Sequence, residues 1–242
     1  MSTQTISPQR LYLMQVGYVP PNNMPFVCYL VQMTDGTNIL IDSGLPDPDP
    51  NMPRPPGREP PVFGKDVIEQ LDSIGIKPAD IKLMVCTHFD LDHCGHQEAF
   101  TNAQYIVQRT HYDKAINGHP RFVHGRPHWD QPVSRYRFVD GDTELFPGLR
   151  LIETSGHTSG HQSVLVHLPE SGAIVLAIDA VRQQERFIPD VQAVQMDEDE
   201  ALLRASTKKL IDLAQKEKAS LIVFGHDGQQ WPTLKKLPEF YS

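Results

Sequence analysis

The residues best suited to chemistry stand in one short run, from Thr87 to His96, which reads THFDLDHCGH. Its imidazole and carboxylate groups are ligands that suit zinc, iron or manganese. The run directly follows the apolar segment from Ile81 to Cys86, so the ligands would lie at the end of a strand. A solvated, aspartate-rich surface turn is the alternative interpretation. The pattern predicts a metal site with His88, Asp90, Asp92 and His93 as ligands.

Three more residues of the right chemistry each follow an apolar run. These are His157 after Leu149 to Glu153, Asp179 after Ala173 to Ile178, and His226 after Leu221 to Phe224. Because strand ends along one edge of a layered sheet face a common crevice, we expect these side chains to converge with those of the first run. A surface turn would not explain them, so the constellation favours the metal site.

Composition limits the kinds of partner. The chain has 242 residues and a formal net charge of −8, and no basic tract occurs along it. This balance disfavours a nucleic-acid or acidic-membrane partner and favours a small neutral or cationic substrate. The length suits one domain, 1–242. Met1 to Arg10 is polar, without the apolar segment of a signal peptide or membrane span, so we expect a cytoplasmic protein.

The three cysteines are odd in number and have no paired spacing, which argues for a reducing compartment and against a disulfide scaffold. We interpret Cys28 and Cys86 as small core residues within strands. Cys94 lies inside the metal-binding run but out of phase with the ligands. We expect it to pack beside the site, with direct ligation as the alternative.

Apolar runs predict the elements that must position the site. Strands are expected at Leu11–Val16, Phe26–Gln32, Asn38–Ile41, 81–86, Tyr105–Gln108, 149–153, Gln162–Leu168, 173–178 and Ser220–Phe224. Helices are expected at Asp66–Ile74, which has a capping-box pattern, at about Thr110–Ile116, and at Asp197–Lys216. By itself this pattern supports only a mixed domain of helices and strands.

Two segments are predicted to be irregular. Prolines from Leu45 to Phe63 exclude a helix or a central strand, and this loop is either a lid over the site or a surface insertion. The segment 117–135 contains His119, His124, His128 and Trp129, which either line a pocket or are ordinary loop residues.

The full pattern resembles the metallo-β-lactamase superfamily, whose motif His-x-His-x-Asp-His is followed by a histidine, an aspartate and a final histidine. The resemblance extends from Asp42 to Asp227. Four segments, ILIDSG at 39–44, TSGHTSGH at 154–161, AIDA at 177–180 and GHD at 225–227, are similar to the branch of N-acyl homoserine lactone lactonases. The implied architecture is an α+β fold, a four-layer αβ/βα sandwich with the metals at one edge between the sheets.

The resemblance also implies roles for single residues. His88, Asp90 and His157 would hold one divalent metal, Asp92, His93 and His226 the second, and Asp179 would bridge them. Asp42 would orient a ligand histidine through its other ring nitrogen, or it closes a turn after its strand. His96 and His161 fall outside the ligand positions, and we expect them to pack or to form local hydrogen bonds.

Two positions depart from the family pattern. The second histidine of the motif is Asp90, which adds hard oxygen ligation, so the metals are expected to be zinc with iron or manganese as alternatives. Arg182 stands where the lactonases carry a tyrosine that contacts the substrate carbonyl. It either donates to an oxyanion or pairs with Glu185 or Asp190 in solvent.

The function implied is opening of a small cyclic ester, an N-acyl homoserine lactone, by attack of a metal-bound hydroxide, as in quorum quenching. Asp92 would be both ligand and proton carrier, and Arg182 the second catalytic candidate. Other hydrolases of thioesters, phosphodiesters, organophosphates or β-lactams share the fold and ligands. A diiron redox protein and a non-catalytic binding protein are further alternatives. A homodimer with the proline-rich loop as its contact is also open.

Overall fold

A computed structural model describes residues 5–49 and 59–242. The first sheet has seven strands in the order β4-β1-β2-β3-β5-β6-β7. They span β1 Pro8–Val19, β2 Met24–Met33, β3 Asn38–Ile41, β4 Val62–Phe63, β5 Ile81–Val85, β6 Gln104–Gln108 and β7 Tyr136–Val139. Strands β1 to β3 are antiparallel, whereas β3, β5, β6 and β7 run parallel, so the carboxyl ends of these last four strands meet at one edge.

The second sheet has five strands in the order β12-β11-β10-β9-β8. They span β8 Thr143–Phe146, β9 Leu149–Glu153, β10 Gln162–Leu168, β11 Gly172–Ile178 and β12 Leu221–Phe224. Only β11 and β12 pair in parallel, so that the residues after both strands emerge side by side. The sheets are thus both mixed.

In the described part of the chain, five α-helices flank the sheets: α1 Val67–Ser73, α2 Leu91–Cys94, α3 Arg109–Ile116, α4 Arg126–Trp129 and α5 Glu200–Lys216. The capping box predicted for α1 is present, since Asp66 accepts from the backbone of Glu69 and Glu69 accepts in return. The predicted start of α5 at Asp197 is wrong. Asp199 has extended backbone angles and caps Leu202, so the helix begins at Glu200. None of the described helices is long and apolar enough to cross a membrane.

Three apolar clusters hold the layers together. The cluster between the sheets includes Leu13 and Tyr29 from the first and Leu151 and Leu176 from the second. A second cluster packs α1, α3 and α4 on the outer face of the first sheet, and a third packs α5 on the outer face of the second. The layers are therefore helix, sheet, sheet, helix, which confirms the predicted four-layer sandwich. The shared inter-sheet cluster supports the single domain that we predict.

The two predicted irregular segments have different outcomes. Of the proline-rich loop, 50–58 lies outside the described residues, and the loop ends in β4, which pairs with β1 at the sheet edge. The segment 117–135 carries short helical turns at Pro120–Phe122, α4 and Val133–Arg135. Trp129 of α4 is buried and stacks on Phe89 with ring centroids 5.0 Å apart, so this segment is packed against the core.

Candidate metal centre

The residues that follow β5, β9, β11 and β12 meet at one edge of the two sheets. His157 Nε2 lies 3.3 Å from Asp179 Oδ2, and His226 Nε2 lies 3.1 Å from Asp179 Oδ1. His93 Nε2 is 3.4 Å from the same Oδ1 atom. Asp179 therefore lies between histidines from three different parts of the chain, which is the position that the family resemblance implies for it.

The first donor group consists of His88, Asp90 and His157. Their ligand atoms all lie within 4.8 Å of one another. Asp90 Oδ2 is 3.4 Å from His88 Nε2 and 3.2 Å from His157 Nε2. Asp90 is the N-cap residue of α2 with extended backbone angles, which turns its carboxylate towards the two imidazoles.

The second donor group consists of Asp92, His93 and His226, whose ligand atoms also lie within 4.8 Å of one another. Asp92 Oδ2 is 3.6 Å from His226 Nε2 and 3.8 Å from His93 Nε2. The nitrogens His88 Nε2 and His93 Nε2 are buried and have no hydrogen-bond partner within residues 5–49 and 59–242. Since buried polar atoms are nearly always paired, unpaired imidazole nitrogens facing carboxylates fit metal ligation.

Asp42 orients His93. Its Oδ2 lies 2.8 Å from His93 Nδ1, and it also accepts from Thr87, through the hydroxyl at 2.6 Å and through the backbone N–H at 2.8 Å. The carboxylate thus ties the ends of β3 and β5 to the histidine. Of the two interpretations of Asp42, the orienting one is the arrangement observed, and it leaves Nε2 of His93 free for a metal.

The other candidate histidines are held in the same manner. His157 Nδ1 lies 2.9 Å from Asp197 Oδ1, and His226 Nδ1 donates to the carbonyl oxygen of Pro25 at 2.8 Å. His88 Nδ1 contacts the Thr87 hydroxyl at 3.0 Å. With each Nδ1 engaged, Nε2 of each ring faces the centre.

Charge balance keeps the carboxylates ionised. Burial alone would raise the pKa of Asp90, but the hydrogen bonds from Arg121, together with the neighbouring imidazoles of His157 and His88, hold it well below its usual range. Burial acts in the same direction on Asp179, and there His226, His93 and His157 outweigh it, so its pKa is also well below the usual range. Both groups are therefore available as anionic ligands.

Comparison with known proteins identifies the family. The model of the metallo-beta-lactamase superfamily matches residues 25–226 of this chain. The chain belongs to the metallo-β-lactamase superfamily. It is similar to N-acyl homoserine lactonase AiiA of Bacillus thuringiensis subsp. kurstaki, with 33% identity over 229 residues that cover 90% of this chain and 87% of the relative. It is also similar to N-acyl homoserine lactonase AttM of Agrobacterium fabrum, with 36% identity covering 75% of this chain and 72% of the relative.

Solved structures of the superfamily match the whole fold. A mutant of B. thuringiensis AiiA with N-decanoyl-L-homoserine bound at the active site gives a TM-score of 0.84 at 29% identity, covering 97% of this chain and 100% of that one. An N-acyl homoserine lactone hydrolase with the product N-hexanoyl-L-homoserine at its catalytic metal centre gives 0.83 at 29% identity, with the same coverage. The sheet order and layers described above are therefore those of the metallo-β-lactamase fold.

Arg121 and Asp197 are site residues that the sequence did not reveal. Arg121 belongs to the helical turn Pro120–Phe122 of the segment 117–135, and its guanidinium reaches Asp90 and His157 of the first donor group. The sequence does contain one indication of such a residue. Asp90 in place of a motif histidine adds a negative charge, and a buried negative charge is stabilised by a nearby cation. His119, His124 and His128 of the same segment do not join the donor groups, and His128 instead pairs with Glu98 at 2.9 Å.

Arg182 lies beside the centre, and its ion-pair partner differs from the two that the sequence suggests. Its guanidinium is 3.5 Å from Asp197 Oδ1 and 3.3 Å from Met196 Sδ, so the predicted solvent pair with Glu185 or Asp190 is wrong. The reason is that Asp197 is not part of α5 and turns inward. Its role as an oxyanion donor stays a prediction.

A cavity of about 450 Å³ opens next to Arg182 and His226. Its wall is mostly apolar, and includes Val19, Pro20, Pro21, Met24, Val194 and Met196. An apolar cavity that reaches a polar, charged end is the usual form of a small-molecule site. The proline-rich loop contributes Glu59 to this wall.

The remaining predicted neighbours pack as follows. Cys94 Sγ contacts the carbonyl oxygens of Phe89 at 3.6 Å and Gly125 at 3.9 Å, which is the packed role expected for it. His161 forms the expected local hydrogen bonds, to Thr154 at 2.9 Å and from the backbone of Asp179 at 3.2 Å. His96 is buried, as the packing alternative expects, and its Nε2 has no hydrogen-bond partner among the described residues.

Proposed function

We propose that this chain is a metal-dependent hydrolase that opens the ester ring of N-acyl homoserine lactones. The observation that carries the proposal is the convergence of two donor groups on Asp179 beside an apolar cavity. The similar proteins AiiA and AttM, both N-acyl homoserine lactonases, support the choice of substrate class. The hydrolase class itself follows from membership of the superfamily.

Two divalent ions are part of the proposal. His88, Asp90 and His157 would hold one, Asp92, His93 and His226 the other, and Asp179 would contact both. Zinc suits the imidazoles, whereas the carboxylate of Asp90 also suits iron or manganese. Divalent ions at such a site lower the pKa of water and polarise an ester carbonyl.

The chain's own groups would orient the substrate and move the proton. The apolar wall beside Val194 and Met196 suits an acyl chain, and Arg182 at its inner end offers a charged donor for the ring carbonyl. Asp92, whose side chain is 24% exposed, borders the space reached by solvent and can take the proton released by the attacking water and pass it to the leaving alkoxide oxygen. Asp42 and Asp197 keep His93 and His157 in position throughout.

The test is an assay of purified protein against a panel of substrates, in which hydrolysis is monitored through the release of protons. N-acyl homoserine lactones of several chain lengths would be compared with thioesters, phosphodiesters and a β-lactam, each after loading with zinc, manganese or iron. We expect lactone opening that disappears on chelation and returns on metal addition. Turnover of a thioester or phosphodiester with none of any lactone would refute the substrate class, and unchanged lactone opening after complete metal removal would refute the metal dependence.

Two further features stay predictions of the sequence. The cytoplasmic location agrees with Cys28, Cys86 and Cys94 being free thiols. The homodimer would be tested by measuring mass in solution.

A further inference from the structure

The guanidinium of Arg121 lies inside the first donor group. Its Nε donates to Asp90 Oδ1 at 2.7 Å and its Nη2 donates to Asp90 Oδ2 at 2.5 Å, which is a two-pronged ion pair. The same Nη2 lies 2.7 Å from His157 Nε2. One nitrogen of Arg121 therefore contacts two of the three ligand atoms of this group.

The contact with His157 excludes a metal at the same atom. His157 Nδ1 lies 2.9 Å from the Asp197 carboxylate, so Nδ1 carries a proton. An arginine has only donors, so the 2.7 Å contact of Nη2 with His157 Nε2 requires that Nε2 accept through its lone pair. An imidazole nitrogen has one lone pair, which can accept from Arg121 or bind a metal ion but cannot do both.

Arg121 is held in this position by other contacts. Its Nη1 donates to the carbonyl oxygen of Met196 at 2.6 Å and to that of His157 at 3.2 Å. The neighbouring Phe122 is fully buried, and its carbonyl oxygen accepts from the indole of Trp129 at 3.0 Å. The guanidinium is thus presented by a packed turn, and its side chain is 18% exposed.

The second donor group has no such cation. In 5–49 and 59–242, the ion pairs of Asp92 are with His93 and His226 alone, and no lysine or arginine pairs with it. The two groups therefore differ in one respect that bears directly on metal binding, since among the described residues only the first contains a guanidinium.

We propose that Arg121 competes with the metal ion for the first donor group, so that the two groups fill in order, the second first. For the first group to bind its ion, Nη2 must leave His157 while Nε can keep its bond to Asp90. A ligand that binds only the fraction of protein in the open state has its affinity lowered by that fraction. This inference rests on the metal sites of the proposed function, and it adds their order and the residue that sets it.

The experiment is a titration of the full-length protein, first freed of metal with a chelator, with Zn²⁺ and with Co²⁺. Calorimetry monitors the binding steps, and elemental analysis after gel filtration gives the number of bound ions. We expect two separate binding steps in the wild-type chain. In Arg121→Met, which keeps the length of the side chain and removes the guanidinium, the weaker step should tighten by at least about tenfold while the stronger step changes little. Arg121→Lys, which keeps the charge without the fork, should lie between.

Arg126→Met is the matched control. Arg126 belongs to the same segment and pairs with Asp130 at 2.8 Å on the surface, away from both donor groups. If this variant tightens the weaker step as much as Arg121→Met does, the effect is general electrostatics and the proposal fails. It also fails if the wild-type groups fill together, or if Arg121→Met leaves both steps unchanged with native circular dichroism.

The titration needs no substrate, so its outcome is separable from that of the lactone assay. Ordered binding that Arg121→Met abolishes, in a protein that opens no lactone, would support the competition and refute the proposed substrate. Lactone opening by a protein whose two groups fill together would support the proposed substrate and refute the competition.

Discussion

The two donor groups are built in the same way but are supported by different parts of the molecule. Each holds a histidine through a carboxylate on its Nδ1 atom, Asp42 for His93 and Asp197 for His157. Asp42 follows β3 and bonds the strand end at Thr87, deep between the sheets. Asp197 comes from the segment before α5 and Arg121 from the segment 117–135. The second group is therefore supported by the sheets, and the first by connecting segments that bring their own charges.

The largest effect is expected from removing the second group. The variant Asp92→Ala His93→Ala should lose at least about 1000-fold of lactone-opening activity, because it removes two of the proposed ligands and the proposed proton carrier together. Both changes shorten side chains at the site, so the far-ultraviolet circular dichroism should stay native. Activity within tenfold of the wild type would remove the second group from the mechanism.

A matched pair of glycine variants tests whether the sheets support the site more firmly than the segment 117–135 does. A Cβ at Gly225 would lie 2.4 Å from the carbonyl oxygen of Ile178, between β12 and β11. Gly225→Ala should cost roughly 3 kcal/mol of unfolding free energy, because backbone must move. Gly118→Ala meets nothing within 4 Å and strains only its positive φ of 85°, so about 1 kcal/mol is expected. Denaturant unfolding would measure both, and equal costs would contradict the comparison.

The orienting carboxylates offer a more local test. Asp42→Asn should weaken metal binding at the second group by roughly 10- to 100-fold, and Asp197→Asn should do the same at the first. The charge that holds each ring is lost while the shape is kept. Metal titration of both variants would show two different steps moving. If either variant weakened both steps equally, the groups would not be supported separately.

The smallest effect, on unfolding free energy, is expected from an ion pair near the first group. Lys114 pairs with Glu198, which also accepts from the backbone N–H of Ser159 at 3.0 Å. Burial would raise the pKa of Glu198, but the hydrogen bonds from Lys114 and Ser159 lower it below its ordinary value of 4.5. A carboxyl whose pKa is depressed by folding stabilises the fold above its unfolded pKa, and the effect is lost as the pH falls through the folded pKa.

Glu198→Gln should therefore cost about 1 kcal/mol of unfolding free energy at pH 7, and the difference from the wild type should shrink as the pH falls below the ordinary pKa of glutamate. Denaturant unfolding at several pH values would measure it. A difference that grows towards acid pH would have the wrong sign for this contact.

Much of the fold could be predicted because it is encoded locally. Strands β9 and β10 have the predicted bounds, since each segment is rich in apolar residues and is bounded by turn residues. Strands β4, β7 and β8 were not predicted. They have two to four residues each, and β4 exists only because β1 pairs with it at Gly17 and Tyr18. Strands that short carry too little periodicity to be found without their neighbours.

The sequence by itself determined which residues could bind metal, because the ligand types and their spacing within one run, and the strand ends that carry them, are local properties. Only the tertiary structure decided that Arg121 contacts Asp90, 31 residues away in the sequence. The same holds for Asp197, which precedes α5 and contacts His157, 40 residues away. These contacts depend on how separate segments pack, and no short-range pattern encodes that packing. The charge within the first donor group was therefore decided by the fold, even though its ligands could be predicted from the sequence.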